Sequence, residues 1–157
     1  MIAMNSKATA LYELTNALQP VRRVWKQAVS LVIANTDISM SLATVVVLVQ
    51  RNPQGITQKE LAEEAGINPG ALVRLLDQAA QAQLLERREM QGDRRAKTLH
   101  ILPQGEVLAS QVSDAANKLR LELMKDVPQE DIEHATKILR LFEERATQYQ
   151  QRNKGAR

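Results

Sequence analysis

No cysteine occurs in the 157 residues, which rules out disulfides, thiolate metal ligands and any switch that works by thiol oxidation. Rings are scarce as well. One Trp, two Tyr and one Phe leave Leu, Val, Ile and Ala to build the core, and leave little for stacking on a ligand. No stretch stays apolar over a membrane-spanning length and none reads as a signal peptide, so a cytoplasmic chain is expected. His100 and His134 stand alone, without a Cys, His or acidic partner at ligand spacing, so neither a metal nor another cofactor is expected. There is no Ser-His-Asp set and no phosphate-cradling Gly loop, and an enzyme is not expected. Neither sign of charge dominates: 21 basic residues against 18 acidic give a net charge of +3. The distribution says more than the total. Residues 1–34 hold four basic groups and one acidic, and the segment after Glu144 holds four basic and none acidic.

What is present is most legible between Gly55 and Pro103. Thr57-Gln58-Lys59-Glu60 is a capping box, with Ile56 and Leu61 at the positions of a hydrophobic staple. Gly66 suits the left-handed residue that closes a helix. Asn68 then caps a second helix with Pro69 at its first position, where a missing N–H is harmless. Helix, short Gly-containing turn, helix is the helix-turn-helix spacing. Behind it, Leu84–Arg88 and Lys97–Ile101 can pair as antiparallel strands around Gly92-Asp93. Arg94 and Arg95 sit at the tip, and a basic hairpin beside a helix-turn-helix is a wing.

The runs Ala71-Leu72-Val73-Arg74-Leu75-Leu76-Asp77-Gln78, Leu84-Leu85-Glu86-Arg87 and Gly92-Asp93-Arg94-Arg95-Ala96-Lys97 resemble the MarR family of winged-helix regulators. Leu72 to Gln78 and Asp93 to Lys97 are most similar to its SlyA-like branch. The resemblance covers the chain from about Val21 to Val112, with the motifs in order. It implies a mainly α protein with a small β-hairpin wing: residues 1–36 as an N-terminal helix contributing to dimerisation, 37–102 as a winged helix-turn-helix, and 103–157 as C-terminal dimerisation helices.

Outside the winged segment, Leu11, Leu14, Leu18, Val21, Trp25, Val29 and Val32 recur as one stripe, which predicts a helix over residues 7–34. Pro20 predicts a kink or break near Gln19. Asn35-Thr36-Asp37 reads as a loop. Ser41–Gln50 is locally ambiguous because Thr44-Val45-Val46-Val47 has strand character; the resemblance implies a helix. Leu108, Val112, Ala115, Leu119 and Leu123 line a helix over residues 104–125. Ile132, Ala135, Leu139, Phe142, Ala146 and Tyr149 line another, which Pro128 opens, with residues 152–157 expected to fray. Two such helices cannot bury both stripes alone. A second copy with its own terminal helices is the economical partner, and MarR proteins are similar in dimerising this way.

On the second helix of the motif, Arg74 faces away from Leu72, Leu75 and Leu76, which suits a guanine edge or a phosphate; the bland alternative is a pair with Asp77. Asn68, Gly70 and Ala71 share its front, with Gly70 and Ala71 standing where SlyA-like proteins often carry Pro and Ser. The resemblance implies that Asp93 orients Arg95, which enters a minor groove beside Arg94. Lys59, Arg88 and Lys97 are candidate phosphate contacts. Arg22, Arg23 and Trp25, in Val21-Arg22-Arg23-Val24-Trp25, resemble a family segment that lines an effector crevice, for which a small aromatic carboxylate is the expected ligand; Leu42 falls at the same crevice where relatives often carry an aromatic, and a core Trp beside surface Arg is the other option. Two departures concern structure. Gln83 stands where the family ends a helix with Gly, and Leu102 where it caps one with Thr. The expected partners are double-stranded DNA and a second copy of the chain, without a membrane. The function expected is operator binding with ligand response, or else SlyA-like displacement of nucleoid proteins from AT-rich DNA with no effector.

Overall fold

The computed structural model describes residues 6–90 and 92–154, with backbone alone for residues 94–96. The described residues form α1 (Ser6–Val32), α2 (Met40–Gln50), β1 (Ile56–Thr57), α3 (Gln58–Ala65), α4 (Pro69–Gln81), β2 (Leu85–Met90), β3 (Asp93–Ile101), α5 (Pro103–Leu123) and α6 (Gln129–Lys154). They divide into two compact units, residues 1–119 and 120–157.

The first unit has an aliphatic core drawn from every element it contains: Val29 from α1, Val45, Val46 and Val49 from α2, Leu61 from α3, Leu72 and Leu76 from α4, Leu85 and Leu99 from the sheet, and Leu108 and Val112 from α5. α1 runs unbroken through Pro20, so of the kink or break expected there the break does not occur. Residues 16–24 are exposed throughout, and water can take the Asn16 carbonyl that proline leaves without a donor. α1 ends at Val32, two residues early, and a 3-10 turn over Ala34–Thr36 closes on Asp37 in the left-handed conformation (φ 53°). α2 is a helix despite its valines. Ala43, Val45, Val46 and Val49 are all buried, and burial on several sides outweighs the modest cost of β-branching. The Ser39 hydroxyl caps it, accepting from the Leu42 N–H at 3.1 Å.

The caps of α3 and α4 are those the sequence signals. The Thr57 hydroxyl accepts from the Glu60 N–H at 3.3 Å, and the Glu60 carboxylate accepts from the Thr57 N–H at 2.9 Å. The Thr57 hydroxyl also donates to that carboxylate at 2.7 Å, and this bond first, then the one from the Thr57 N–H, holds the Glu60 carboxyl below its ordinary range. Ile56 and Leu61, the staple pair, are both buried. Gly66 takes φ 63°, and Ile67 N–H donates to the Ala62 carbonyl at 3.1 Å, a Schellman closure. The Asn68 side chain accepts from the Gly70 N–H at 2.9 Å. α4 ends by the same device without a glycine. Gln83 is left-handed (φ 55°), and Leu84 N–H reaches back to the Ala79 carbonyl at 2.8 Å. A side chain in that conformation costs about 1–2 kcal/mol.

The wing is larger than two five-residue strands. β2 starts one residue late, because Leu84 is still engaged in closing α4, and runs on to Met90, while β3 begins at Asp93. The third strand, β1, was not legible from the sequence; Ile56 and Thr57 pair with Leu99 and Thr98, giving the order β1-β3-β2, antiparallel throughout. In the hairpin Leu85 faces Ile101, Arg87 faces Leu99 and Glu89 faces Lys97, and then the register shifts so that Met90 faces Asp93. The chain turns through Gly92 at φ 92°.

α5 starts without the side-chain cap that Leu102 cannot provide. Its first bond is instead Glu106 N–H to the Leu102 carbonyl at 2.9 Å, while Leu102 N–H donates to the Leu84 carbonyl at 2.9 Å. The same Leu84 carbonyl meets Gly105 so closely that a Cβ there would lie 2.1 Å from it. The face α5 buries is Gly105, Leu108, Ala109, Val112 and Ala116. It is rotated from the expected stripe toward the small residues, with Leu119 still packed against the core and Leu123 exposed. In the second unit, α6 buries none of its residues. Its anticipated stripe is in the open: Ile132 is 40%, Leu139 38%, Phe142 42% and Tyr149 65% exposed. The helix also continues through residues 152–154, where fraying was expected.

Three outcomes follow for stability, each read by thermal melting. Gly105→Ala forces a methyl into a backbone carbonyl and should cost about 1–3 kcal/mol, or more if α5 cannot shift; an unchanged melting temperature would show that the approach is not tight. Gln83→Gly should stabilise by about 0.5–1 kcal/mol, the relieved strain exceeding the added chain entropy. For Glu60 the folded state favours the carboxylate, so its contribution is present at neutral pH and disappears as pH falls through the lowered folded value. Glu60→Gln keeps a hydrogen-bonding side chain without the charge, and its deficit relative to the parent should shrink between about pH 6 and about pH 3. A constant deficit across that range would remove the charge from the cap.

Candidate nucleic-acid interface

α4 divides cleanly into a buried and an exposed face. Leu72, Leu76 and Ala79 point into the core, while Asn68, Gly70, Ala71 and Arg74 are exposed. Because the Asn68 carbonyl oxygen is occupied by the cap, its NH2 group is the end left to donate outward. The bland alternative for Arg74, a pair with Asp77, is not what the structure contains. Asp77 accepts instead from Arg87 of β2 at 3.1 Å. Arg74 makes no ion pair among the described residues.

Strand parity sorts the wing's charges. Leu85, Arg87 and Glu89 share one face of β2 and oppose Ile101, Leu99 and Lys97 of β3. Arg87 and Lys97 therefore lie on the side of the sheet that packs toward α4. Arg88 lies on the other face, where it pairs with Glu86, its Nε donating at 2.6 Å. Lys59 is exposed in the first turn of α3. Asp93 is exposed at the head of β3. Arg94 and Arg95 follow it within the strand, but their side chains lie outside the described residues. A cleft of about 410 Å³ opens among Gln58, Arg87, Lys97 and Leu99. Arg87 and Leu99 also border a second cleft of about 350 Å³ between α4 and the sheet, reaching Ala80 and Gln83.

The candidate effector residues lie on α1 and, for Leu42, on α2. Arg22 Nη2 donates to the Ala65 carbonyl at 3.5 Å, placing a cation at the C-terminus of α3, where the helix dipole favours it. Arg23 is exposed. Trp25 and Leu42 are half-buried, and both pack against the core. His100 exchanges a hydrogen bond with Thr98 at 2.9 Å, and no group of three potential metal-binding side chains occurs among the described residues. Sequence reasoning missed Arg87. The alternation that puts Leu85 in the core already implied that Arg87, and not Arg88, shares its face.

Residues 36–96 match the sequence pattern of the MarR family. Among solved structures, the fold is similar to that of the transcriptional regulator PA3341, with a TM-score of 0.78 and 22% identity over 85% of this chain and 98% of that one. It is similar to a cysteine-to-serine mutant of MarR from E. coli complexed with operator DNA, with a TM-score of 0.67 and 19% identity over 85% and 95% of the two chains. It is also similar to CouR from Rhodococcus jostii bound to p-coumaroyl-CoA, with a TM-score of 0.69 and 21% identity over 78% and 86%. Mainly helical, with a three-stranded antiparallel wing and the family's sequence pattern in residues 36–96, the chain has the MarR-type winged-helix fold.

Proposed function

We propose that the chain is a DNA-binding transcriptional regulator of MarR type, acting as a homodimer on a pseudo-palindromic operator. The observation that carries this reading is the exposed front of α4. Asn68, Gly70, Ala71 and Arg74 stand clear of the fold, and Arg74 keeps its charge available because Asp77 is taken by Arg87. Two such helices related by a two-fold axis reach successive major grooves about 34 Å apart. Arg94 and Arg95 then approach the flanking minor grooves, with Asp93 beside them, and Lys59 and Lys97 meet phosphates. Arg88 joins them only by exchanging Glu86 for a phosphate. The run Asp93 to Lys97 is what favours the SlyA-like branch. Operator DNA in the E. coli MarR complex, on the same fold, supports this role. Such a regulator works in the cytoplasm, and no described helix is long and apolar enough to cross a membrane.

The apolar residues left exposed on α6, with Leu11, Leu18, Val21 and Val24 on α1, supply the dimer surface. An effector acts by preferring one spacing of the two reading helices, a coupling of about 1–3 kcal/mol. The p-coumaroyl-CoA bound to CouR, an aromatic acyl thioester, supports an aromatic ligand, and the Arg22-Arg23 pair beside Trp25 favours one that is a small carboxylate. Arg22 at the end of α3 would have to leave the Ala65 carbonyl to take its carboxylate, so the affinity expected is weak, about −4 kcal/mol.

Light scattering on the full chain should give twice its mass, and a stable folded monomer at micromolar concentration would refute the dimer. Arg74→Ala should weaken operator binding by about 1–3 kcal/mol and relax base preference at one position of each half-site. Equal losses on all sequences would reduce Arg74 to a phosphate contact. Titration with salicylate-like compounds should quench Trp25, the one tryptophan, over the range that releases DNA. Neither response would return Trp25 to the core and favour displacement of nucleoid proteins without an effector.

A further inference from the structure

We infer that Arg87, Lys97 and Gln58 form a seat for one backbone phosphodiester of the duplex, at the junction of wing and helix-turn-helix. This rests on the reading of the chain as a DNA-binding protein and assigns a part of the interface that neither the front of α4 nor the wing tip supplies. The geometry is set by the duplex. What separates a major groove from its neighbouring minor groove is a sugar-phosphate strand. A protein that puts α4 in one and its wing in the other must carry that strand across the floor between them.

The floor here is the cleft of about 410 Å³ among Gln58, Arg87, Lys97 and Leu99. Its polar groups come from three elements. Gln58 is the first residue of α3, Arg87 belongs to β2 and Lys97 to β3. β1 pairs Thr57 with Thr98, which sets Gln58 beside Lys97. Arg87 is fixed before any ligand arrives, because Asp77 holds one of its nitrogens at 3.1 Å, yet its side chain remains 34% exposed. A guanidinium carries five donors, so the remaining ones stay free for a phosphate oxygen while the pair limits the rotamers to be frozen on binding. The acidic neighbours do not cancel the site. Asp77 is the orienting partner, Glu89 is exposed opposite Lys97, and the Glu60 carboxylate is engaged by Thr57. Against them stand Arg87, Lys97 and the exposed Lys59 at the same end of α3. Arg88, which the sequence favoured over Arg87, lies on the far side of the sheet paired with Glu86 and is no part of this seat.

The test is binding of a mixed-sequence duplex by the full chain, followed by fluorescence anisotropy across a salt series. Each phosphate contact contributes about 0.9 to the slope of log affinity against log salt. Arg87→Gln and Lys97→Gln should each flatten the slope by about that amount and weaken binding several-fold at physiological salt. Arg87→Lys keeps the charge and should restore the slope. Melting curves of the same variants control for folding. If Arg87 served only to brace α4 against the wing, Arg87→Gln would leave the slope intact, and that result overturns the proposal. So would displacement of the duplex by inorganic phosphate at constant ionic strength, which would make the cleft a small-anion pocket. A parent chain that fails to bind DNA even at low salt defeats the broader functional reading instead, so the two failures remain distinct.

Discussion

The approach of α5 to the carbonyl of Leu84 constrains how α4, the wing and α5 meet. At that point α4 has just ended, the wing is about to begin, and the first turn of α5 is laid directly against the backbone. Only a residue without a Cβ fits at position 105, and only a left-handed residue at 83 lets the chain turn back on α4 and depart as β2. The two constraints act on one short segment. Both act where α4 gives way to β2, the strand that carries Arg87. The strain at Gln83 is tolerable because Leu84 N–H and Leu102 N–H both find carbonyl partners there, so the junction has no orphaned donor to add to its cost.

What the sequence makes legible is what is local. The capping box at Thr57, the left-handed Gly66 and the Pro69 start of α4 each depend on residues within one turn, and each appears in the structure as its chemistry requires. What stayed hidden involves pairing across distance. β1 is two residues long and exists only because Ile56 and Thr57 meet β3 some forty positions later. The exchange of Asp77 from Arg74 to Arg87 has the same cause, since an i,i+3 partner is visible in a sequence and a cross-element partner is not. α2 shows the reverse failure. Its valines argue locally for a strand, and a helix wins because the surrounding core buries them on several sides.

The two units handle apolar surface differently, and the contrast bears on assembly. In the first unit the elements from Val29 to Ala116 share one core. In the second, α6 has an aliphatic and aromatic stripe with regular spacing and none of its residues buried. A helix of that composition has little reason to hold its stripe in register unless something covers it. Regular spacing over its length suits another helix as the cover, and a second copy of the chain supplies one without any further component.

Charge in this protein is organised by pairing more than by excess. A net charge of +3 gives little general attraction for a polyanion, so on the proposed function binding would depend on which cations are left unneutralised and where. On the wing, Glu86 neutralises Arg88 on the outer face, while on the inner face Asp77 binds Arg87 through one nitrogen and leaves its other donors available. Both pairs are solvent-exposed and contribute little to stability, about 0–1 kcal/mol each, so stability alone does not account for an acid from α4 on the wing's inner face. The pairing does orient a guanidinium toward the cleft and frees Arg74 from the one carboxylate on its own helix within reach. One exposed aspartate thereby sets the availability of two arginines, one on α4 and one on the floor of the cleft beside it.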